Sequence, residues 1–403
     1  MAKPKVSISY SNGNLGRTAP SEDGISGLIV SGVAGSFALG DVLHFTSLAD
    51  AEAIGITAAY DVTNTCMAHQ HIADFYSEAG DGTELYVMVV AKTVVMKDIA
   101  DKTLAYAKKL LSTTGGKIKM LGITRIPDGS YTPTYATQLE QDIIDAIANA
   151  KALVTEEQGE YRPVSIIIEG RDWQGNASSS LDLRGASTPN ANRVSLVIGS
   201  DKTIAAARTE ANKYAAVGLA LGRAAGIPVQ RNLGRVKDGE RTVTTAGFSN
   251  NTLLSALSET NQVTLNDKGY IFFVAHPGKA GFYFNDDHTC APLTDDYSQL
   301  SLARTMDKVA RLTRIVYVNE LLDDIQLDPS TGKLAPATIK HYQGIVERSI
   351  NDNMTAKSEI VRVSAFVDPD QNVLSTSKVI VQIDILPKAT AREISSTLAY
   401  ATE

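Results

Sequence analysis

The sequence is poor in the features that build disulfide frameworks, nucleic-acid-binding surfaces and membrane spans. Its 403 residues include only two cysteines, Cys66 and Cys290, which excludes a disulfide framework and favours a reducing compartment. The net charge of −7 argues against general nucleic-acid binding, which needs a basic surface. The longest uncharged stretch, residues 24–40, is interrupted by glycines and is too short to span a bilayer. We therefore expect a soluble protein, made in the cytoplasm without a Sec signal.

The remaining composition is that of ordinary globular domains. The hydrophobic fraction is 43% and the charged fraction is 21%. The length allows two or three domains, each with its own core. The sequence has no low-complexity tract and no repeat of 20–50 residues, so solenoid architectures are not expected.

Residues 27–226 alternate between short apolar runs and segments with helical periodicity. The runs at 27–33 and 84–91 are typical of buried strands, and the segments 97–111 and 136–154 are typical of helices. Ser47 is a plausible N-cap for a helix over residues 48–54. Since parallel strands need helical crossovers of this length, the pattern predicts an α/β core with a mainly parallel sheet.

The pattern changes after Asn251. Residues 270–286 indicate a hairpin, and residues 299–324 indicate a long helix. Two alternating segments, 359–367 and 378–386, predict a pair of strands joined by a turn. This part of the chain is expected to form an α+β C-terminal domain.

Each end of the chain carries an alternating segment that is detached from the rest. The domains are therefore predicted as an N-terminal arm (1–18), an α/β core with room for two subdomains (19–290), a C-terminal domain (291–388) and a C-terminal arm (389–403). An isolated strand needs the edge of another sheet as its partner. The apolar side of the arms consists of Val6, Ile8, Tyr10, Ile394, Leu398 and Tyr400.

One stretch groups potential metal ligands: Asp286, Asp287, His288 and Cys290. Zinc sites use His and Cys in pairs at defined spacings, and only one of each is present here. The calcium-loop pattern is also absent. The sequence therefore predicts a solvated loop with no metal, in which Thr294, Asp295 and Asp296 offer acceptors to the start of the next helix.

The sequence provides no convincing catalytic or cofactor-binding motif. His69 and His71 are two positions apart in a helical segment and so point away from each other, and Cys66 is predicted to be a packed thiol. The glycines at 218, 222 and 226 lie inside a helical pattern, whereas a phosphate-binding loop precedes a helix, so they are predicted to allow close packing. No G-x-S-x-G or H-E-x-x-H motif is present.

The chain resembles the contractile tail sheath proteins of phages and related injection systems. The resemblance is clearest at residues 42–90, at residues 295–325 and in the final pair of strands with its extended arm. The single tryptophan, Trp173, and the dispersed arginines of the long helix bring the chain closer to the divergent, Mu-like sheath type.

This resemblance implies a subunit that polymerises into a helical tube of stacked rings and contracts around an inner tail tube. It implies that the terminal arms add strands to sheets of neighbouring subunits, with the receiving strand near Val379, Val381 and Ile383. The implied partners are further copies of the chain, the tube protein, and baseplate and tail terminator proteins, without direct nucleic-acid contact, membrane insertion or a cofactor. The implied location is a virion tail or injection-system particle assembled in the bacterial cytoplasm.

The resemblance also implies that the long helix faces the inner tube. At about 100° per residue, four cations of this helix fall in a stripe about 120° wide. These cations are Arg304, Lys308, Arg311 and Arg314. They are predicted to form an exposed basic face that contacts acidic residues of the tube.

Two alternatives from other classes stay open on the sequence. One is a doubly wound nucleotide-dependent enzyme, which a nucleotide or metal retained through purification would favour. The other is a non-contractile cytoplasmic oligomeric scaffold, which would form small closed rings where a sheath forms helical tubes.

Overall fold

The computed structural model describes residues 22–185, 188 and 190–400. The strands in the described part of the chain are β1 Ser26–Gly32, β2 Leu43–Phe45, β3 Leu85–Ala91, β4 Met120–Ile123, β5 Tyr135–Ala136, β6 Leu139–Glu140, β7 Ser165–Glu169, β8 Val194–Val197, β9 Gly199–Asp201, β10 Ala246–Phe248, β11 Tyr270–Ile271, β12 Phe273–Val274, β13 Tyr283–Phe284, β14 Ile360–Val367 and β15 Val381–Pro387. The α-helices are α1 Leu48–Ala53, α2 Ala58–Asn64, α3 Ala68–Ala79, α4 Met96–Ile99, α5 Ala107–Thr113, α6 Gln141–Gly159, α7 Lys202–Ala207, α8 Val217–Gly226, α9 Glu259–Asp267, α10 Leu300–Val318, α11 Pro336–Ile350 and α12 Val373–Thr376.

A seven-stranded sheet forms the centre of the larger domain. Its strand order is β11-β8-β7-β4-β1-β3-β2. Every neighbouring pair is parallel except β2 and β3 at one edge. The strands β1, β4, β7 and β8 are buried along their whole length, as expected for a sheet covered by helices on both faces. The predicted mainly parallel α/β core is confirmed.

Several helical segments are broken in the structure, including residues 97–111, which the sequence predicts as one helix and which form α4 and α5. The segment 61–78 forms α2 and α3, because Thr65 adopts a left-handed conformation with φ 48°. Asp61, buried in the middle of α2, accepts hydrogen bonds from the backbone N–H groups of His69 (3.0 Å) and Gln70 (3.0 Å). This carboxylate therefore satisfies donors at the start of α3 that have no partner within the helix. Ser47 caps α1 as predicted, in a capping box with Asp50.

The glycines of α8 allow that helix to approach α3 very closely. A Cβ atom at Gly218 would lie 2.3 Å from the carbonyl oxygen of His71, and one at Gly222 would lie 2.3 Å from that of Phe75. No side chain fits in that space. The prediction that these glycines serve packing is confirmed.

The C-terminal domain packs a helix pair against a hairpin of β14 and β15. The two strands are antiparallel, and they form a two-stranded sheet. A separate apolar core joins α10, α11 and the hairpin, and it includes Val309, Val346, Ile350 and Val363. The predicted hairpin of residues 270–286 corresponds to β12 and β13. No helix in the described residues is both long enough and apolar enough to cross a bilayer.

Candidate inter-subunit surfaces

The acidic stretch that begins at Asp286 is buried, in contrast to the predicted solvated loop. Asp286, Asp287, His288 and Cys290 are at most 4% exposed. The carbonyl of Cys290 accepts from the N–H of Ala191 (2.8 Å), and its N–H donates to Val194 (2.7 Å), so this segment runs along the start of β8. The segment is thus packed against β8 as part of the α/β domain.

Asp287 takes the capping role that the sequence suggests for Thr294, Asp295 and Asp296. Its carboxylate accepts from the N–H of Ser301 (2.8 Å), and its carbonyl accepts from the N–H of Leu300 (2.8 Å), both in the first turn of α10. Asp295 instead accepts from the side chain of Asn190 (2.8 Å). Since Asp287 is adjacent to β13 in sequence, its cap fixes the start of α10 to the α/β domain.

The described residues contain no group of three or more His, Cys, Asp or Glu side chains arranged to hold a metal ion. Burial lowers the pKa of His288 to about 3, so its imidazole is neutral. Its Nε2 atom lies 2.8 Å from Oδ1 of Asn266, and its Nδ1 atom contacts Arg184. These contacts hold the ring within the protein.

The second group of histidine and cysteine side chains, Cys66, His69 and His71, is also engaged in contacts within the protein. His69 pairs with Glu52 at 2.9 Å, whereas His71 is buried, and burial lowers its pKa to about 3. Cys66 is fully buried and donates to Asp61 over 3.3 Å. Burial raises the pKa of this thiol to about 12, so it is not a reactive thiolate.

The first half of α10 is anchored in the α/β domain and does not present an exposed basic face. Arg304 is buried and donates to the carbonyls of Ala224 (2.6 Å) and Ile227 (3.1 Å) at the end of α8. On the same half of the helix, the buried Asp307 forms a two-pronged ion pair with Arg193 (2.8 and 2.9 Å). Both contacts hold α10 against the core.

Lys308 and Arg311 are likewise paired within the chain. Nζ of Lys308 lies 2.6 Å from Asp23 and 2.7 Å from Glu359, and Arg311 reaches Asp23 at 2.6 Å. Burial raises the pKa of Asp23, but the two cations outweigh this effect and hold it below its usual value. Arg314 is exposed and lies over the ring of Tyr161, 3.9 Å from its centroid. The prediction of an open basic stripe is therefore wrong for Arg304 and Lys308, which the fold buries; contact of this helix with a tube stays a prediction.

The hairpin of β14 and β15 has an open edge on each side within the described chain. Val381, Ile383 and Ile385 point towards the core under the hairpin, while Phe366 and Leu386 are about half exposed on its outer face. Val379 precedes the strand. No other described strand pairs with either β14 or β15, so each strand has one edge without a strand partner. On β14, the N–H of Ala365 donates to the carboxylate of Glu347 in α11 (2.8 Å).

The C-terminal arm leaves the domain without covering its apolar side chains. Ile394 is 87%, Leu398 is 94% and Tyr400 is 101% exposed. One contact of this arm returns to the α/β domain, where Nε of Arg392 lies 2.6 Å from Asp286. The N-terminal residues Val6, Ile8 and Tyr10 lie outside the described residues.

The ion pairs that anchor these surfaces have no signal in the sequence. Asp23 pairs with Arg311, and Arg392 pairs with Asp286, over separations of 288 and 106 residues. No local spacing relates such partners. Only the folded chain brings them together.

Comparison with known proteins gives one family and one fold. The chain matches the family model "DUF2586, N-terminal domain" over residues 3–288 and "DUF2586, C-terminal domain" over residues 296–403. No curated protein matches its sequence.

Solved structures similar to this chain come from contractile injection particles. A chain of the anti-feeding prophage baseplate is 11% identical with a TM-score of 0.62, each chain being covered over 100% of its length. A chain of the anti-feeding prophage helical sheath in the contracted state is 12% identical with a TM-score of 0.63, with 99% of each chain covered. A chain of the PVC extracellular contractile injection system sheath, also contracted, is 9% identical with a TM-score of 0.61, covering 99% of this chain and 98% of that one. The resemblance noted from sequence is confirmed as a similarity of fold.

Proposed function

Since this chain belongs to the DUF2586 family and has the fold found in contractile sheath structures, we propose that it is a structural subunit of a contractile tail sheath. The subunit polymerises into a helical tube of stacked rings around an inner tube. The tube shortens when the subunits change their packing. The mechanical work comes from the difference between two packings of the polymer, so no catalytic residue is required.

The observation that carries this proposal is that the same chain has open strand edges and an uncovered apolar C-terminal arm. The hairpin of β14 and β15 has two unpaired edges among the described strands, and the C-terminal arm exposes Ile394, Leu398 and Tyr400. An edge strand that is left open promotes association with another chain. Main-chain hydrogen bonds of an added strand supply affinity, and its alternating side chains fix the register.

Strand exchange between copies satisfies both features at once. The N-terminal segment with Val6, Ile8 and Tyr10 adds to the hairpin of one neighbour, and the C-terminal arm adds to another. The arms then keep neighbouring subunits connected while the α/β domains change their relative positions. The proposed partners are therefore other copies of this chain, an inner tube protein, and baseplate and terminator proteins at the two ends of the particle.

Electron microscopy of the concentrated protein tests this function. The full chain is expected to form helical tubes, whereas a variant lacking residues 1–18 is expected to remain a folded monomer, because it has lost one exchanged strand. Size-exclusion chromatography and circular dichroism check the monomer and its fold. Small closed rings from the full chain would contradict a sheath, and normal tubes from the truncated chain would contradict exchange of the N-terminal strand.

A further inference from the structure

The C-terminal arm is attached to the α/β domain at a single point near its root. Nε of Arg392 lies 2.6 Å from Oδ2 of Asp286, and Nη2 of Arg392 lies 3.2 Å from Oδ1, so the guanidinium contacts both carboxylate oxygens. Among residues 389–400, no other group forms a hydrogen bond or an ion pair with the rest of the described chain. The attachment of the arm to its own subunit therefore depends on this pair.

Asp286 belongs to a pair of adjacent buried carboxyl groups. Asp286 is 4% exposed and Asp287 is 1% exposed. The side-chain amide of Asn232 donates to both of them, over 2.6 Å in the case of Asp287. The backbone N–H of Asp287 also donates to Oδ1 of Asp286 (2.8 Å). Two carboxyl groups this close in a buried site do not both stay ionised, so the pair holds a proton.

Asp287 holds that proton. Its carboxyl group accepts from the N–H of Ser301 (2.8 Å), and Arg304, less than one turn further along α10, is the cation on this helix that acts on it. Burial, and next the charge of Asp286, raise the pKa of Asp287 well above its usual value. Asp287 is therefore neutral, and the negative charge that attracts the arm resides on Asp286.

The other titratable and charged groups that face Asp286 are His288 and Arg184. Nδ1 of His288 lies 3.8 Å from Oδ2 of Asp286, but burial lowers the pKa of His288 to about 3, so the ring is neutral. Arg184, from the loop before β8, contacts this same Nδ1 atom and acts on Asp286 from a greater distance. Among the described residues, Arg392 is thus the one permanent cation in direct contact with Asp286.

The protonation of Asp286 depends on whether Arg392 is in place. Burial raises the pKa of Asp286, but a charged His288, the guanidinium of Arg392 and the N–H of Asp287 outweigh burial and hold it below its usual value. Because His288 is charged only below its own pKa of about 3, Arg392 supplies the positive charge at neutral pH. When Arg392 leaves, Asp286 lies beside a second carboxyl group without a cation in contact, and its pKa rises.

We propose that Asp286, Asp287 and Arg392 form a proton-dependent latch that holds the C-terminal arm at neutral pH and releases it in acid. The sign follows from the protons bound in each state: the released state binds more of them, so a fall in pH favours release. Each pH unit below the released-state pKa of Asp286 should lower the latching constant by up to about tenfold. The latch acts within a single chain and does not require the proposed sheath function.

The latch sets the free length of the arm. When it is closed, the arm is free from residue 393 onward; when it is open, the arm is free from residue 388, because β15 ends at Pro387. The five residues 388–392 add roughly 17 Å of reach when extended. In an assembly held together by this arm, acid would lengthen the connection between subunits without breaking it.

A fluorophore next to Arg392 reports the state of the latch. Full-length Ala391→Cys protein is labelled with a pH-insensitive dye, while the native Cys66 and Cys290 are fully buried and react slowly. Fluorescence anisotropy decay is measured at nanomolar concentration, where size-exclusion chromatography confirms a monomer. The fast component of the decay, which reports a freed arm, is expected to be small at about pH 7 and to grow between about pH 6 and about pH 4, with the slope of one proton. His288 stays neutral over this range.

Two variants of the labelled chain test whether this pair is responsible. Arg392→Gln is expected to give the large fast component already at about pH 7 and to lose the pH dependence, because the latch cannot close. Lys388→Gln is the matched control: it removes another exposed cation of the same region, one without an ion pair in the described chain, and is expected to behave like the parent. Circular dichroism at each pH checks the fold, since unfolding in acid would also free the arm.

Unfolding in urea gives a second measurement. The difference in stability between the parent and Arg392→Gln is expected to shrink as the pH falls from about 7 to about 4, because the depressed pKa of Asp286 makes the contribution of the latch one that acid removes. An ion pair that is not linked to protonation would keep the same difference over this range.

The outcomes separate the latch from the proposed function. A fast component that is independent of pH in the parent, or that changes equally in Arg392→Gln, would overturn the latch even if the protein forms tubes. A change that coincides with the loss of the circular dichroism signal would assign it to unfolding and overturn the latch as well. A latch that opens in acid in a chain that forms no tubes would support the inference and count against the sheath.

Discussion

Single residues at the roots of the two arms connect those arms to the rigid body of the subunit. Asp23 follows the N-terminal arm and pairs with Lys308 and Arg311 at 2.6 Å each. Arg392 lies in the C-terminal arm and pairs with Asp286 at 2.6 Å. Because the partner groups are largely buried, these pairs are less screened by salt than pairs on an open surface. They define the points from which each arm leaves the subunit.

Arg392→Gln should destabilise the protein. Asp286 is buried, and without the guanidinium it loses a charged hydrogen-bond donor, which should lower the free energy of unfolding by about 1–3 kcal/mol. Urea unfolding followed by circular dichroism measures this change. Glu393→Gln is the control, since the carboxylate of Glu393 is exposed and contacts the nearby Ser395. Equal stability of both variants would mean that the Arg392 pair contributes nothing in solution.

At the scale of elements, α10 joins the two domains. Its first half is held by Asp287, Arg304 and Asp307 against the α/β domain. Further along, Val309 belongs to the separate core under the hairpin of β14 and β15. The hairpin therefore cannot shift far without moving the helix or breaking one of these contacts. In the proposed sheath, this helix would transmit motion between the exchanged strands and the α/β domain.

The close packing of α3 against α8 can be tested by adding a side-chain atom between the two helices. Gly222→Ala should destabilise the protein by about 1–3 kcal/mol, because its Cβ would lie 2.3 Å from the carbonyl oxygen of Phe75 and the helices must separate. Thermal unfolding measures the effect.

Gly159→Ala is the matched control for that substitution. Gly159 is the last residue of α6, and nothing lies within 4 Å of a Cβ at that position. The stability of the Gly159→Ala variant should equal that of the wild type or be slightly higher, since alanine is a better helix former than glycine. If Gly222→Ala were as stable as this control, the close approach of α3 and α8 would not limit the packing.

For the whole molecule, two packed domains carry extended segments that they do not cover themselves. The α/β domain has one large core around its seven-stranded sheet, and the C-terminal domain has smaller cores of its own. The exposed Ile394, Leu398 and Tyr400 lie beyond both. A chain organised in this way is complete as a folded body but leaves apolar surface that association would cover.

Deletion of residues 389–403 should therefore leave the fold intact and prevent polymerisation. The described part of this arm is exposed and contains no strand or helix, so its removal uncovers little apolar core; loss of the Arg392 pair should lower the melting temperature only modestly. Sedimentation and electron microscopy should show monomers where the full chain forms tubes. Tubes of normal length from the deleted chain would exclude a role for this arm in assembly.

The sequence by itself determined the elements whose signals are local. The apolar runs of β1 and β3, the cap at Ser47, the alternating strands of the terminal hairpin and the glycines of α8 were all predicted, because periodicity and capping depend on neighbouring residues. Only the tertiary structure decided whether the charged residues are buried or exposed. Asp286 and Asp287 were predicted in a solvated loop, and Arg304 and Lys308 on an open face, yet all four are buried. Their partners, such as Asn232, the carbonyl of Ala224 and Asp23, are distant in sequence, and the burial of a charge is decided by the partner that the fold brings to it.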